Sequence, residues 1–385
     1  MYIAQQNYLT LARLQSSPSL NEQLQSLHRR ICELIPDVDR IACVLYDPKD
    51  DLLKTFIGSN LSGEEITHYE FKLADSPSLS HLAKSQHLRI LDDLPFILTT
   101  NTPHSAWLLK EGYQSSLTAP MYDQESLLGF IFFDSRQPGF FTTNIQNNLR
   151  LFAQLINTTI AHELTTVRAM LASVKMAKNF ADLRDFETGA HLERIASYSR
   201  LIAKALAPTH GLTDEFIEHV FLFAALHDIG KVGIPDQILL KPGKLNPEER
   251  RVMETHVSKG LEIVDKILGN FGLALLPNAL IMRNIVAYHH ERMDGSGYPY
   301  GLKGHEIPIE ARIVAVADVF DALTTQRPYK PSWTLAAAWA ELEQMAARQQ
   351  LDPAGVTAMK ASTEEVARIY QQYSETQMGQ ALVYR

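Results

Sequence analysis

The sequence predicts a multidomain α+β protein: an α/β domain over residues 1–150, a connector helix over 151–180 and an all-helical domain over 181–385. Three observations carry that expectation. Of 385 residues, 45% are hydrophobic and 21% charged, which is ordinary globular composition and enough chain for about two cored domains. Short β-branched runs broken by turn residues end near residue 135, and helical spacing follows. Eight of the 14 histidines then fall between His191 and His305, inside the helical part.

Composition also limits the function classes. A net charge of −8 argues against a general nucleic-acid binder, DNA included, which needs a basic surface. Cys32 and Cys43 sit in apolar surroundings and read as structural thiols of a reducing compartment. No apolar run approaches the roughly 20 residues that span a bilayer, and Met1-Tyr-Ile-Ala-Gln-Gln6 lacks the basic start of a signal peptide. A cytoplasmic protein with no membrane association is expected.

In chain order, Leu20, Leu24, Leu27, Ile31, Leu34 and Ile35 form one face of an amphipathic helix. Arg40 to Tyr46 is a β-branched strand, stopped by the turn Asp47-Pro-Lys-Asp-Asp51. Leu52 to Ile57 completes that hairpin, and Ile66 to Leu73 is a further strand. Ser78 to Ser85 is a short helix and Leu88 to Leu91 a short strand. Residues 93–113, with Pro95 and Pro103, read as an irregular loop. Ser115 to Tyr122 and Leu127 to Asp134 make a second hairpin. A helix, an antiparallel sheet, a loop-rich face and a closing helix resemble a GAF-type sensory domain. That resemblance implies a small ligand between sheet and loops, or a domain that only dimerises the chain.

From Asn144 to about Asn179 the chain returns to helix. Ile145, Leu149, Phe152, Leu155, Ile156, Ile160, Leu164, Val167, Leu171, Val174 and Met176 recur mostly every three to four residues, with no Pro or Gly between. A homodimer through this connector helix is expected, the alternative being that the stripe packs on its own domains.

The helical part carries the chemistry. His227-Asp228 closes the apolar run Val220 to Leu226, and Gly230-Lys231 follows. Glu187 and His191 are four apart, one helix face. Asn246 caps a helix with Pro247 at its first position, and His256 is expected on that helix. His289 and His290 end an apolar helix from Ala279, before the glycine-rich loop Asp294 to Pro299. Asp318 follows the apolar run from Ile313, where a charge is costly unless paired or metal-bound. Ser332 to Arg348 is an Ala-rich helix, and Leu351 to Ala354 starts another. Five histidines and two or three carboxylates exceed what one cation needs. Imidazole with carboxylate suits iron, manganese, zinc or nickel rather than magnesium or calcium, and the excess argues for two metals bridged by Asp228, or three with Glu187.

His227-Asp-Ile-Gly-Lys231, Lys241-Pro-Gly-Lys-Leu245, His289-His-Glu-Arg-Met-Asp-Gly-Ser-Gly-Tyr-Pro299 and Val316-Ala-Asp-Val-Phe-Asp-Ala-Leu-Thr-Thr-Gln-Arg-Pro-Tyr-Lys330 resemble the HD-GYP family, a branch of the HD metal-dependent phosphohydrolases. The resemblance spans roughly 180–370. It implies a metal-dependent phosphodiesterase hydrolysing cyclic di-GMP to pGpG, and onward to GMP in some members. The alternatives are another cyclic dinucleotide as substrate, or a non-enzymatic receptor or interaction module. Two or three transition-metal ions are implied, iron and manganese foremost. His191, His227 and Asp318 would serve one and His256, His289 and His290 its neighbour, with Asp228 between them and Glu187 supporting a third. Asp228 and Lys231 are the catalytic candidates. Lys231, Arg327, Lys330 and Arg312 are candidate phosphate contacts, with Lys244 a weaker one. Tyr298 and Tyr329 are packing residues or guanine-stacking rings. The Gly-Tyr-Pro loop is implied as a surface for a diguanylate-cyclase partner.

Overall fold

The computed structural model describes residues 19–181, 189–270, 277–325 and 332–373, and it divides into two compact units, Met1–Ala169 and Met170–Arg385. In the first, the Ser19 side chain accepts from the Glu22 amide and starts α1, Leu20–Leu34. The helix buries Leu20, Leu24, Leu27 and Ile31, whereas Leu34 is 70% exposed.

Strands β1 (Arg40–Asp47), β2 (Leu52–Asn60), β3 (Glu70–Lys72), β4 (Arg89–Leu91), β5 (Ser115–Asp123) and β6 (Ser126–Ser135) form one antiparallel sheet in the order β3-β2-β1-β6-β5-β4. Between β1 and β6, Gly129 has φ +151°, and a Cβ there would lie 1.9 Å from the Val44 carbonyl oxygen, so this register requires glycine. The strand expected over Ile66 to Leu73 shortens to three residues at the sheet edge, where only β2 can pair with it.

Helix α2 (Pro77–Ser85) precedes β4, and two further helices occupy the stretch expected to be an irregular loop: α3 (Leu94–Ile97) and α4 (Pro103–Lys110). Pro95 and Pro103 suggested breakers, but each lies in the first turn of its helix, where its missing N–H costs nothing. Asp93 and Thr102 cap those turns by accepting from the Phe96 and Ser105 amides.

Helix α5, Thr143–Ala181, is 39 residues long. Leu149, Ala153, Ile156, Ile160 and Leu164 join α1 and one face of the sheet in a single core. Burying each of the larger side chains contributes roughly 1.5–3 kcal/mol, so much of the apolar stripe serves its own unit, and that unit extends to Ala169 instead of ending at 150. Leu151 and Leu155 stay 70% and 37% exposed.

The second unit is helical throughout its described residues: α6 (Gly189–His210), α7 (Asp214–Ala224), a 3-10 turn (Ile229–Gly233), α8 (Asp236–Leu239), α9 (Pro247–Glu254), α10 (His256–Asn270), α11 (Pro277–Tyr288), α12 (Ile309–Thr324), α13 (Leu335–Ala347), α14 (Pro353–Ala361) and α15 (Thr363–Gln372). Helices α6 and α12 pack together, α7 packs on α6 and α11, and the 3-10 turn lies along α10. Ile195, Ile202, Val220, Phe223, Val264, Ile285, Val314 and Phe320 are fully or nearly fully buried in this layer. No described helix is long and apolar enough to cross a membrane.

Candidate metal centre

Every expected ligand that is described sits on or beside a buried helix. His191 is in the first turn of α6, and Asp318 lies within α12. His227 and Asp228 follow the C-terminal end of α7, and His289 and His290 follow α11. His256 differs from expectation: the helix capped by Asn246 ends at Glu254, and His256 is the first residue of α10. Gly230 sets the approach between these segments. A Cβ there would lie 1.7 Å from the His256 carbonyl oxygen and 2.5 Å from the Gly260 nitrogen, so a side chain would push the His-Asp turn off α10.

Seven of the eight expected ligands come together in two groups, His191, His227 and Asp318 in one, and Asp228, His256, His289 and His290 in the other. Asp228 faces both. Its Oδ2 lies 3.2 Å from His227 Nε2, while its Oδ1 lies 3.1 Å from His256 Nε2 and 3.5 Å from His289 Nε2. Lys231 Nζ sits 2.7 Å from the same Oδ2. Burial would push the Asp228 carboxyl up, but the Lys231 ammonium beside it holds it well below the usual carboxylate range.

The histidines are oriented for ligation. Nδ1 of His227, His256 and His289 lies 2.8 Å, 2.8 Å and 3.0 Å from the carbonyl oxygens of Ala224, Met253 and Ile285. A carbonyl can only accept, so each Nδ1 carries the proton and each Nε2 presents a lone pair. Asp228 Oδ1, His256 Nε2 and His289 Nε2 are buried and make no well-formed hydrogen bond. Burial lowers the His289 and His290 imidazoles, His290 most, which keeps both neutral and able to ligate. A donor set of neutral imidazoles and carboxylates fits transition-metal ions.

Three supporting residues escaped the sequence reading. Asp321, one turn after Asp318, accepts from His191 Nδ1 at 2.7 Å and from Arg194 through Nε at 2.5 Å and Nη2 at 3.0 Å. Arg194, one turn after His191, is 2% exposed and Asp321 0%. Burial raises the Asp321 carboxyl, and the His191 and Arg194 hydrogen bonds outweigh it, leaving the group ionised. Such a carboxylate fixes the ring and tautomer of a ligating histidine. The available signal was a second charge at helical spacing in each apolar run. Glu291 is the third such residue: its carboxylate accepts from the Tyr300 and Leu302 amides at 2.7 Å and 3.0 Å and closes the loop after His290.

In that loop the Asp294 side chain accepts from the Ser296 amide at 2.8 Å. A Cβ on Gly297 would lie 2.4 Å from the Arg292 nitrogen. The Tyr298 ring stacks on His290 with centroids 4.7 Å apart. Arg312 does not join the centre: it is buried on α12, donates to the Ile307 carbonyl at 3.0 Å and pairs with Asp352 at 2.5 Å, so its charge is already matched. Lys244 is exposed on the turn before α9. Glu187, Arg327, Tyr329 and Lys330 lie outside the described residues.

A family model described as HD domain matches residues 160–355. The chain belongs to the HD-domain family. The chain is 45% identical over 193 residues to a cyclic di-GMP phosphodiesterase response regulator of Xanthomonas campestris pv. campestris, covering 50% of this chain and 48% of the relative. It is 41% identical over 190 residues to a cyclic di-GMP phosphodiesterase of Thermotoga maritima, covering 49% and 48%. A 3'3'-cGAMP-specific phosphodiesterase of Vibrio cholerae is 44% identical over 156 residues, covering 40% of this chain and 28% of that relative. The chain therefore spans about half the length, or less, of these relatives. The chain is also similar to the GAF domain of a phosphoenolpyruvate-protein phosphotransferase from Coxiella burnetii, at 19% identity, a TM-score of 0.34 and coverage of 41% of this chain and 92% of that one.

Proposed function

We propose that the HD domain is a metal-dependent phosphodiesterase that hydrolyses cyclic di-GMP to pGpG, with GMP as a further product. The observation that carries this reading is the Asp228 carboxylate, one oxygen toward each group of ligands. His191, His227 and Asp318 would hold one ion and His256, His289 and His290 another, with Asp228 placed to serve both, and Glu187 would support a third. Iron and manganese are the ions that the HD-GYP resemblance puts first among those this donor set suits. When bound, such ions supply a water of lowered pKa and neutralise charge at the phosphorus.

The chain's own residues do the rest. The Nδ1 hydrogen bonds to Ala224, Met253 and Ile285 keep the rings in place before substrate arrives. Lys231, within 2.7 Å of Asp228, stands where a cation can take a non-bridging phosphate oxygen or protonate the leaving oxygen. Arg327 and Lys330 hold the second phosphate, Arg by a fork and Lys as a point charge. The HD-GYP resemblance and the names of the relatives from Xanthomonas and Thermotoga support cyclic di-GMP. The cGAMP-specific relative from Vibrio makes 3'3'-cGAMP the competing substrate.

The GAF-like domain regulates this activity in our reading, and exposed Leu151 and Leu155 on α5 pair two chains in parallel. The loop around Tyr298 is the surface for a diguanylate cyclase. The deciding experiment is anaerobic purification with metal quantification, followed by product analysis on both dinucleotides. We expect two or three ions per chain and cleavage of cyclic di-GMP, and loss of both metal and turnover in Asp228→Ala. Full metal load with binding but no product from either dinucleotide refutes the enzyme in favour of a receptor.

A further inference from the structure

Three of the ligand histidines are oriented locally. Nδ1 of His227, His256 and His289 donates to a carbonyl three or four residues back in the same stretch of chain. His191 is held differently: its Nδ1 donates to the Asp321 carboxylate on α12, 130 residues away in sequence. The orientation of that one ring therefore depends on what holds Asp321.

Arg194 holds it from one side, and Thr325 adds a hydroxyl that donates to Asp321 Oδ2 at 3.1 Å. The guanidinium does not stop there. Its Nη2 also donates to Thr325 Oγ1 at 2.8 Å, and its Nη1 donates to the Tyr373 carbonyl at 2.9 Å. Tyr373 caps the C-terminal end of α15. The last carbonyls of a helix have no partner within it, and the negative end of the helix dipole favours a cation. One planar guanidinium thus joins the carboxylate behind His191 to the end of α15, a span that a lysine ammonium, a compact point charge, does not reproduce. Tyr370 makes a second link, its hydroxyl donating to the Thr324 carbonyl of α12 at 3.3 Å. Of the three elements that meet at Arg194, α15 buries least, Val366 and Ile369 alone, whereas α6 and α12 are buried along their length. It is the element that can loosen while the others hold.

We propose that α15 is a working part of the metal centre, with Arg194 the positioning residue that connects the two. With α15 seated, the guanidinium fixes Asp321 and Asp321 fixes His191. With α15 loosened, the group of His191, His227 and Asp318 loses affinity for its ion, while the group around His256 keeps its own. The inference rests on the metal-centre reading and holds whichever dinucleotide that centre takes.

Cobalt(II) is the probe, bound by the full chain and withdrawn by a competing chelator while its visible absorption is followed. Ile369→Ala, which loosens the seat of α15, should bind one of the ions ~10-fold more weakly and leave the other nearly unchanged. Arg194→Lys keeps a charge beside Asp321 without the fork, and should weaken the same ion and shift its absorption bands. Leu342→Ala, a buried truncation of the same kind outside α15, should leave every ion as in wild type. Folded Ile369→Ala or Arg194→Lys with wild-type cobalt affinity overturns the proposal. So does equal weakening of all ions, or the same loss in Leu342→Ala, since either marks general loosening. If Ile369→Ala does not fold, Val366→Ala is read in the same way. A wild-type chain that binds no cobalt(II) overturns the metal centre together with this inference, so the two failures are distinguishable.

Discussion

Asp321→Asn isolates the support beneath the metal centre. The substitution keeps the shape of the side chain and removes its charge. Arg194, 2% exposed, then loses a two-pronged partner at 2.5 Å and 3.0 Å, and His191 Nδ1 loses a carboxylate at 2.7 Å. Breaking one side of a buried ion pair costs about 3–5 kcal/mol of stability. Loss of the orienting carboxylate weakens metal binding about 10–100-fold, or roughly 1.4–2.7 kcal/mol. The two effects separate in a second variant. Adding Arg194→Met removes the stranded cation and should restore much of the stability, while His191 remains unoriented and metal affinity stays low. Urea denaturation of the metal-free protein reads the first effect, and competition with a chelator of known affinity reads the second. Wild-type metal affinity in folded Asp321→Asn would refute the idea that Asp321 acts through His191.

Glu187→Ala should remove one ion per chain and slow conversion of pGpG to GMP more than the first cleavage; equal slowing of both steps in a time course counts against a third metal. Gly230→Ala drives a Cβ to 1.7 Å from the His256 carbonyl, and forced repacking of this kind costs about 1–3 kcal/mol or more, so an unchanged thermal midpoint contradicts the close approach. His28 is fully buried, with Nε2 2.7 Å from the Val38 carbonyl oxygen and Nδ1 2.8 Å from Ser59 Oγ. Burial holds its imidazole below the ordinary 6.5. The unfolded chain therefore binds a proton that the folded one refuses, and this stability is full above pH about 6.5 and declines as pH falls toward the lowered native value. Hydrogen exchange of the β1 and β2 amides should show protection falling over that window, with a flatter decline in His28→Gln, and an identical slope in both proteins removes His28 as the cause.

Much of this protein was legible from residue order. β-branched and apolar runs bounded by turn residues located five of the six described strands closely, because strands buried on both faces take apolar residues at nearly every position. The ligands were legible for a related reason. A histidine or aspartate at the end of an apolar run is costly to bury without a partner; any one of them reads as a hydrogen-bonded core residue, but His227, Asp228, His289, His290 and Asp318 stood out as a set.

Other features needed the third dimension. Pro95 and Pro103 looked like breakers, and only their place in a first turn made them helix starters. The connector stripe suggested a partner chain, but Leu149 to Leu164 found an apolar sheet face in their own unit. Arg312 looked like a phosphate contact until Asp352, 40 residues away in sequence, took its charge. Asp321 and Arg194 lie 127 residues apart in sequence, and only the packing of α6 on α12 makes them one structure. The sequence by itself singled out the residues expected to ligate metal, since that expectation follows from the cost of burying them. Which residues face one another was decided by tertiary structure, because distances between segments are set by packing: Asp228 offers one oxygen to each group of histidines only because a residue without a side chain, Gly230, lets its turn rest on α10.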